Sequence, residues 1–488
     1  MTHRHLQDAT RIARNTIGLL LVSLVAKGSG LIVVIVVARY LGAETLGVFV
    51  VIMALTLLLA TVSPLGTPDA AIRAISRDHS TLLRHWVESA AVSVLFALLF
   101  GLILVSGSRL MAMPTDAQAA VDIAAVALLP GALMLASQAP LQALERMKYL
   151  TVSAFAGRIV GLTLLVLMLE SGAGIVAAFV SHLVFLVITD VILAIAIVRH
   201  GRTIGASTDW NLTPAGIVRA IVGGLPFAGQ RVLGEAVIRI TLIVLPLLVT
   251  VEAVGLFDAA DRIRRTIAIA APIIMLAVMP EFSRAFTGDM KRATTLAQRT
   301  MKFMLIVILP LVFLLVAAAP GIIELLYGAG YDRSVPVLRI GAWSMVFLTA
   351  DLVLKQIMIA NHREHALLWR SCWGVVVQII LMIVLARYFG IKGVALSVVV
   401  ASAFVLMLDA EFVRRHLTPM NLLTAAVKPL LCAMISGAVA LALNEQNLAV
   451  TITAAAITYL GAVILFRAIT PAEMAILRQL PASLLRKG

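Results

Sequence analysis

Charge is what this sequence has least of. Asp, Glu, Lys and Arg make up 13% of its 488 residues, about half the share found in a soluble domain. That scarcity excludes a disordered chain, and it excludes a soluble core of this size, which could not cover so much apolar surface. Cysteine is nearly missing as well. Cys372 and Cys432 are the whole complement, and both sit in apolar runs, so no disulfide framework or thiolate metal site is expected. Long polar stretches are also lacking. The longest segment outside the apolar runs, 199–221, is too short to fold as a catalytic domain of the kind membrane glycosyltransferases and polymerases use. No GxSxG, P-loop or HExxH context occurs. His362 and His365 are spaced HxxH, but they lie in a short basic loop, where no metal site is expected. Asn211-Leu212-Thr213 matches a glycosylation sequon in a loop assigned to the cytoplasm. The expectation is a non-enzyme with no cofactor and no metal.

What is present is apolar residue, 61% of the chain, with a mean hydropathy of +1.04. A helix that spans a bilayer takes about 20 such residues. Apolar runs fall at 15–37, 45–64, 86–106, 121–142, 152–169, 174–198, 222–249, 254–280, 299–319, 335–360, 367–388, 391–413, 423–443 and 448–467. The run at 254–280 is weak because it carries several charges. The first run is too long for a cleavable signal. The formal charge of +14 would suggest nucleic acid in a soluble protein. In a membrane protein, location decides, because basic residues collect on the cytoplasmic side. With the N-terminus inside, the cytoplasmic segments hold 26 Lys and Arg, Arg158 counted among them, and the outer loops hold 6. Both termini are then cytoplasmic and the helix count is even.

The fold class that follows is an all-α polytopic membrane protein of about fourteen transmembrane helices. An internal repeat refines it. GAETLGVF at 42–49 echoes TVEAVGLF at 250–257, with Glu44, Gly47 and Phe49 matching Glu252, Gly255 and Phe257. Ala143, Arg146 and Gly157 match Ala360, Arg363 and Gly374, and ARYLG at 38–42 echoes ARYFG at 386–390. The order of the matches is kept along the chain. The expected organisation is a cytoplasmic tail (1–13), an N-lobe of six helices (14–213), a C-lobe of six (214–416), and two appended helices with a cytoplasmic tail (417–488). Two parallel six-helix lobes place a cavity between them and suit alternating access.

Ionisable groups at bilayer depth are costly and by default functional. The basic set is Lys27, Arg231, Arg239, Arg262, Arg264, Arg265 and Lys355, and the acidic set is Asp190, Glu235, Asp258, Asp261 and Asp351. Bases outnumber acids. Arg231, Glu235 and Arg239 form an i, i+4 ladder on the seventh helix, and Asp351–Lys355, Asp258–Arg262 and Asp261–Arg265 repeat that spacing. Each acid is placed to neutralise a base, and the surplus positive charge is left for a ligand. Lys27 has no acid three or four residues away, which singles it out. The seventh helix is rich in Gly223, Gly224, Pro226, Gly229, Gly234 and Pro246. Those residues either pack closely or bend the helix.

The stretch RNTIGLLLVSLVAKGSGLIVVIVVARYLGAETLGVF (14–49) resembles the opening of bacterial lipid-linked oligosaccharide flippases. These are the O-antigen and exopolysaccharide translocases of the MOP superfamily, relatives of the MATE exporters. VGLFDAADRIRR (254–265) with MPEF (279–282) is similar to that family's second-lobe pattern. The resemblance implies a MATE/MOP-like fold in the bacterial inner membrane that moves undecaprenyl-diphosphate-linked oligosaccharide between leaflets. It implies membrane lipids and a polysaccharide polymerase as partners, and no nucleic acid. It assigns the cationic cavity to Lys27, Arg231, Arg239, Arg262 and Arg265; the intramembrane charges themselves add Lys355 to that set and Glu235, Asp351 and Asp190 as coupling-ion or charge-balancing groups. The same motifs are shared with lipid II flippases and sporulation relatives; a lipid II flippase and a MATE-type drug or cation antiporter stand as the alternatives.

Overall fold

The computed structural model describes residues 3–110, 114–205, 212–272, 274–275, 282, 290–418, 422–443 and 447–468. Within these, side chains are described except for 3–27, 230, 232–233, 236–238, 290–292, 364 and 422–423. The described chain has no β-strand; it is helical almost throughout. In chain order the α-helices are α1 (His3–Val62), α2 (Thr67–Arg77), α3 (Leu82–Leu110), α4 (Thr115–Ala143), α5 (Met147–Glu170), α6 (Gly174–Thr203) and α7 (Pro214–Val244). Then come α8 (Val251–Ile267), α9 (Met290–Tyr327), α10 (Val335–Ala342), α11 (Ser344–Ala360), α12 (Glu364–His416), α13 (Leu422–Ala442) and α14 (Leu448–Leu465).

Among the described residues ten stretches are long and apolar enough to cross a membrane. Two of them contain a break in the helix. A straight helix over the 52 residues 365–416 would run about 78 Å at 1.5 Å per residue, more than twice the hydrocarbon thickness. The chain solves this with a corner at Gly390, whose φ of 57° and ψ of −139° leave the helical region. Gly374 and Val405, nearly equidistant from that corner, touch, because a Cβ on Gly374 would collide with the Val405 side chain. α12 is therefore a helical hairpin. α1 breaks in the same way at Gly42, φ 79°. Both corners need a residue without Cβ strain at positive φ. They are also the last residues of the two ARY-x-G echoes, so that repeat marks the same backbone event twice. The two corners raise ten stretches to twelve passes; α7 and the charged α8 are not among the ten.

The chain divides into two compact units, Met1–Gly255 and Leu256–Gly488. In the first unit α6 packs on α4 and α5, α3 on α4, and α1 on α4, α5 and α7. α7 also packs on α2 and α3. α7 opens on Thr213, whose hydroxyl accepts from the Gly216 N–H, with Pro214 in the first turn; both choices suit a helix start. In the second unit α9 packs on α10, α11 and α13, α12 on α10 and α11, and α14 on α13.

The first repeat also has a physical counterpart. A Cβ on Gly47 would collide with the carbonyl oxygen of Val251, and a Cβ on Gly255 with that of Ala43. Ala43 and Val251 stand at the same offset of 208 as Gly47 and Gly255. The contact is thus reciprocal, each echo pressing its glycine against the residue four earlier in the other. Small residues let helix backbones approach this closely.

Candidate substrate-binding site

The second apolar pass ends in an irregular turn. α1 ends at Val62, and Ser63–Gly66 turns with Leu65 and Gly66 both at positive φ before α2 begins. Leu65 N–H donates to Val62 and Thr67 N–H to Pro64, which satisfies the freed carbonyls. The Thr67 hydroxyl donates to Pro64 and meets Ser89 of α3 at 2.8 Å. Protein covers this turn: α7 packs on it. A Cβ on Gly224 would sit 2.5 Å from the Leu65 carbonyl oxygen and 2.8 Å from the Thr67 nitrogen. At Gly224, the glycines of α7 act by packing against this turn.

One turn beyond the crossing, α2 and α7 exchange charge. Arg231 Nε and Nη2 donate to the two carboxylate oxygens of Asp69 at 2.5 and 3.0 Å. Arg73 places its guanidinium 4.5 Å from the Phe227 ring centre. Arg239 Nε donates to Glu235 at 2.7 Å. The ladder read from spacing is therefore two separate pairs, because Asp69, which the sequence reading leaves in a loop, takes Arg231. Asp69 and Glu235 balance Arg231 and Arg239, and Arg73 at Phe227 is the surplus positive charge. Lys27 lies in α1, and its side chain falls outside the described residues. Asp190, on α6, has both carboxylate oxygens buried with no hydrogen-bond partner among the described residues.

In the second unit the helix α8 carries a denser network than spacing suggested. Asp258 is fully buried and accepts from Arg262 at 3.1 Å and from Arg265 at 2.6 Å. Arg265 also reaches Asp261 at 2.9 Å, and Arg264 pairs with Asp261 at 2.6 Å. Arg264 further donates to Ser344 of α11. Asp351 and Lys355 pair at 2.7 Å as their spacing required. Two residues that spacing could not reveal join them from the α12 hairpin. Asp409, fully buried, faces Asp351 and Lys355, and Arg370 approaches Asp409 at 3.7 Å. Among the described residues no three His, Cys, Asp or Glu side chains gather as a metal site.

Counting charges in loops misplaces one base. Arg158 is not in a cytoplasmic segment. It is near the middle of the 24-residue α5, about 17 Å along it. Its signal is present in the sequence, since no acid lies three or four residues away on either side.

A family model described as "Polysaccharide biosynthesis protein" matches residues 12–286, more than half of the chain. The chain belongs to the polysaccharide biosynthesis protein family. No curated protein matches it closely enough to add to that. Solved structures resemble this family member over nearly its whole length. The lipid II flippase MurJ in an inward closed conformation superposes with a TM-score of 0.75 at 16% identity, covering 92% of this chain and 99% of that one. An inward-facing multidrug-resistance MATE transporter of the MOP superfamily gives 0.62 at 16% identity, covering 88% and 99%. The MATE multidrug transporter DinF-BH gives 0.59 at 17% identity, covering 83% and 95%. The fold is the one these MurJ and MATE transporters share, as the sequence resemblance implied, and the protein is a multi-pass membrane protein.

Proposed function

We propose that this member of the polysaccharide biosynthesis family is a flippase. It carries an undecaprenyl-diphosphate-linked oligosaccharide from the inner to the outer leaflet of the bacterial inner membrane by alternating access, with both termini in the cytoplasm. The observation that carries the reading is the family match over residues 12–286, and the bases read from the sequence supply its chemistry. Lys27, Arg231, Arg239, Arg262, Arg265 and Lys355 are the diphosphate-facing set. A diphosphate leaving water loses hydration, and fixed positive charge replaces that loss. Five of these six hold an acid within 3.1 Å, so binding works by exchange. The diphosphate takes the place of Asp69, Glu235, Asp258 or Asp351, and the acid reclaims its base when the cargo leaves. Glu235, Asp351 and Asp190 are the groups that balance charge or accept a coupling ion. A polymerase that consumes the translocated unit is the partner on the far side.

The higher structural likeness to the lipid II flippase favours one second reading, in which the cargo is the peptidoglycan precursor on the same carrier lipid. Depletion separates the two. Under our reading, depleted cells accumulate a lipid-linked oligosaccharide on the cytoplasmic leaflet and lose surface polysaccharide while cell-wall synthesis continues. Accumulation of lipid II with lysis would replace our reading by the second.

A further inference from the structure

From the geometry around α5 and α6 we infer that Arg158 is an anion-binding residue, the point in the first unit where a phosphate group of the cargo is held. The inference rests on the lipid-diphosphate reading above and adds a residue outside its cationic set. Among the described residues Arg158 has no carboxylate within ion-pair distance, unlike Arg231, Arg239, Arg262, Arg265 and Lys355. Its Nε is buried with no hydrogen-bond partner. The guanidinium lies against Phe185 of α6, 3.9 Å from the ring centre. His182, one turn away on α6, sits beside the same ring at 5.9 Å and is the other titratable group facing Arg158.

The arrangement has a physical logic. An arginine cannot shed its charge in a protein, and an uncompensated charge at bilayer depth is expensive. Stacking on Phe185 holds the guanidinium plane in place without using its hydrogen-bond donors. A residue placed so is oriented and unsatisfied, and an anion completes it. A phosphate oxygen matches the guanidinium fork. Near the middle of α5 the site is far from where resident phospholipid headgroups lie, whereas a translocated diphosphate must pass that depth.

The test uses the purified full chain in nanodiscs of phosphatidylcholine, titrated with farnesyl diphosphate and separately with inorganic pyrophosphate. Wild type, Arg158→Gln and Arg158→Lys are compared. Arg158→Gln should lose about tenfold or more in affinity, and Arg158→Lys should keep part of it, because charge survives while the fork does not. The melting temperature of Arg158→Gln should equal or exceed that of wild type, since no ion pair is broken. A structural arginine would instead show a lower melting temperature and unchanged affinity, which would overturn the inference. Equal affinities of wild type and Arg158→Gln for whichever probe binds would overturn it too. So would retention of phosphatidylglycerol, in mixed nanodiscs, that Arg158→Gln abolishes while both probe affinities stay unchanged. Wild type that binds pyrophosphate but not farnesyl diphosphate would remove the lipid reading and leave the Arg158 comparison intact. Binding of neither probe would overturn both.

Discussion

Asp69→Asn is the perturbation that the pairing of α2 with α7 makes most informative. In the native protein Asp69 and Arg231 share two hydrogen bonds of 2.5 and 3.0 Å. At ~3 Å and an effective dielectric constant of about 20, two unit charges attract by about 5 kcal/mol. The side chains of Arg231 and Asp69 are 34% and 28% exposed, so screening and the desolvation both ions have suffered offset much of that. The coupling that remains should be about 1–3 kcal/mol. Asp69→Asn and Arg231→Gln should each destabilise the protein by about that amount, because each strands a partner. The double variant should cost no more than the worse single one. The assay is a double-mutant cycle on reversible unfolding of the purified protein in mixed micelles. Additive losses, with a coupling energy below about 0.3 kcal/mol, would refute the pairing. The exchange mechanism adds a functional expectation. Asp69→Asn releases Arg231 permanently, so farnesyl diphosphate should bind more tightly while polysaccharide display falls.

Lys27→Ala should abolish display in a complemented deletion strain at normal protein level, and Lys27→Arg should keep part of it, checked by blot and surface staining. Gly47→Val should block assembly or lock the protein, because the new side chain would collide with the Val251 carbonyl; abundance and display at wild-type level would remove the reciprocal contact. Gly390→Ala should cost about 1–2 kcal/mol for its positive φ and lower the melting temperature, whereas Gly461→Ala, with open space around it, should not. Reporter fusions at Gly107 and Asn444 should read periplasmic and those at Gly201 and Gly288 cytoplasmic.

The helices are legible because a spanning segment announces itself as an unbroken apolar run. Their corners are legible only in hindsight. Gly42 and Gly390 end matching ARY-x-G echoes, but nothing in the letters says that the shared glycine is the corner. The charge pairs divide along the same line. Asp351–Lys355, Glu235–Arg239 and Asp258–Arg262 are neighbours along one helix, and spacing finds them. Asp69–Arg231 and Arg370–Asp409 join residues 162 and 39 positions apart, which single-helix spacing cannot show. Arg158 escapes for another reason. It satisfies the test applied to Lys27, yet it counts as a loop residue, where positive charge needs no explanation.

Leaflet-to-leaflet movement in proteoliposomes tests the central claim most directly. The purified chain is reconstituted with a short oligosaccharide on undecaprenyl diphosphate, confined to one leaflet, and exposure of the glycan on the other leaflet is followed with a lectin. The account predicts exposure that depends on the wild-type protein and is slowed by Lys27→Ala and by Arg158→Gln. Equal exposure in protein-free vesicles and in vesicles with wild type would contradict it, as would movement of lipid II under conditions in which the oligosaccharide carrier stays where it was placed.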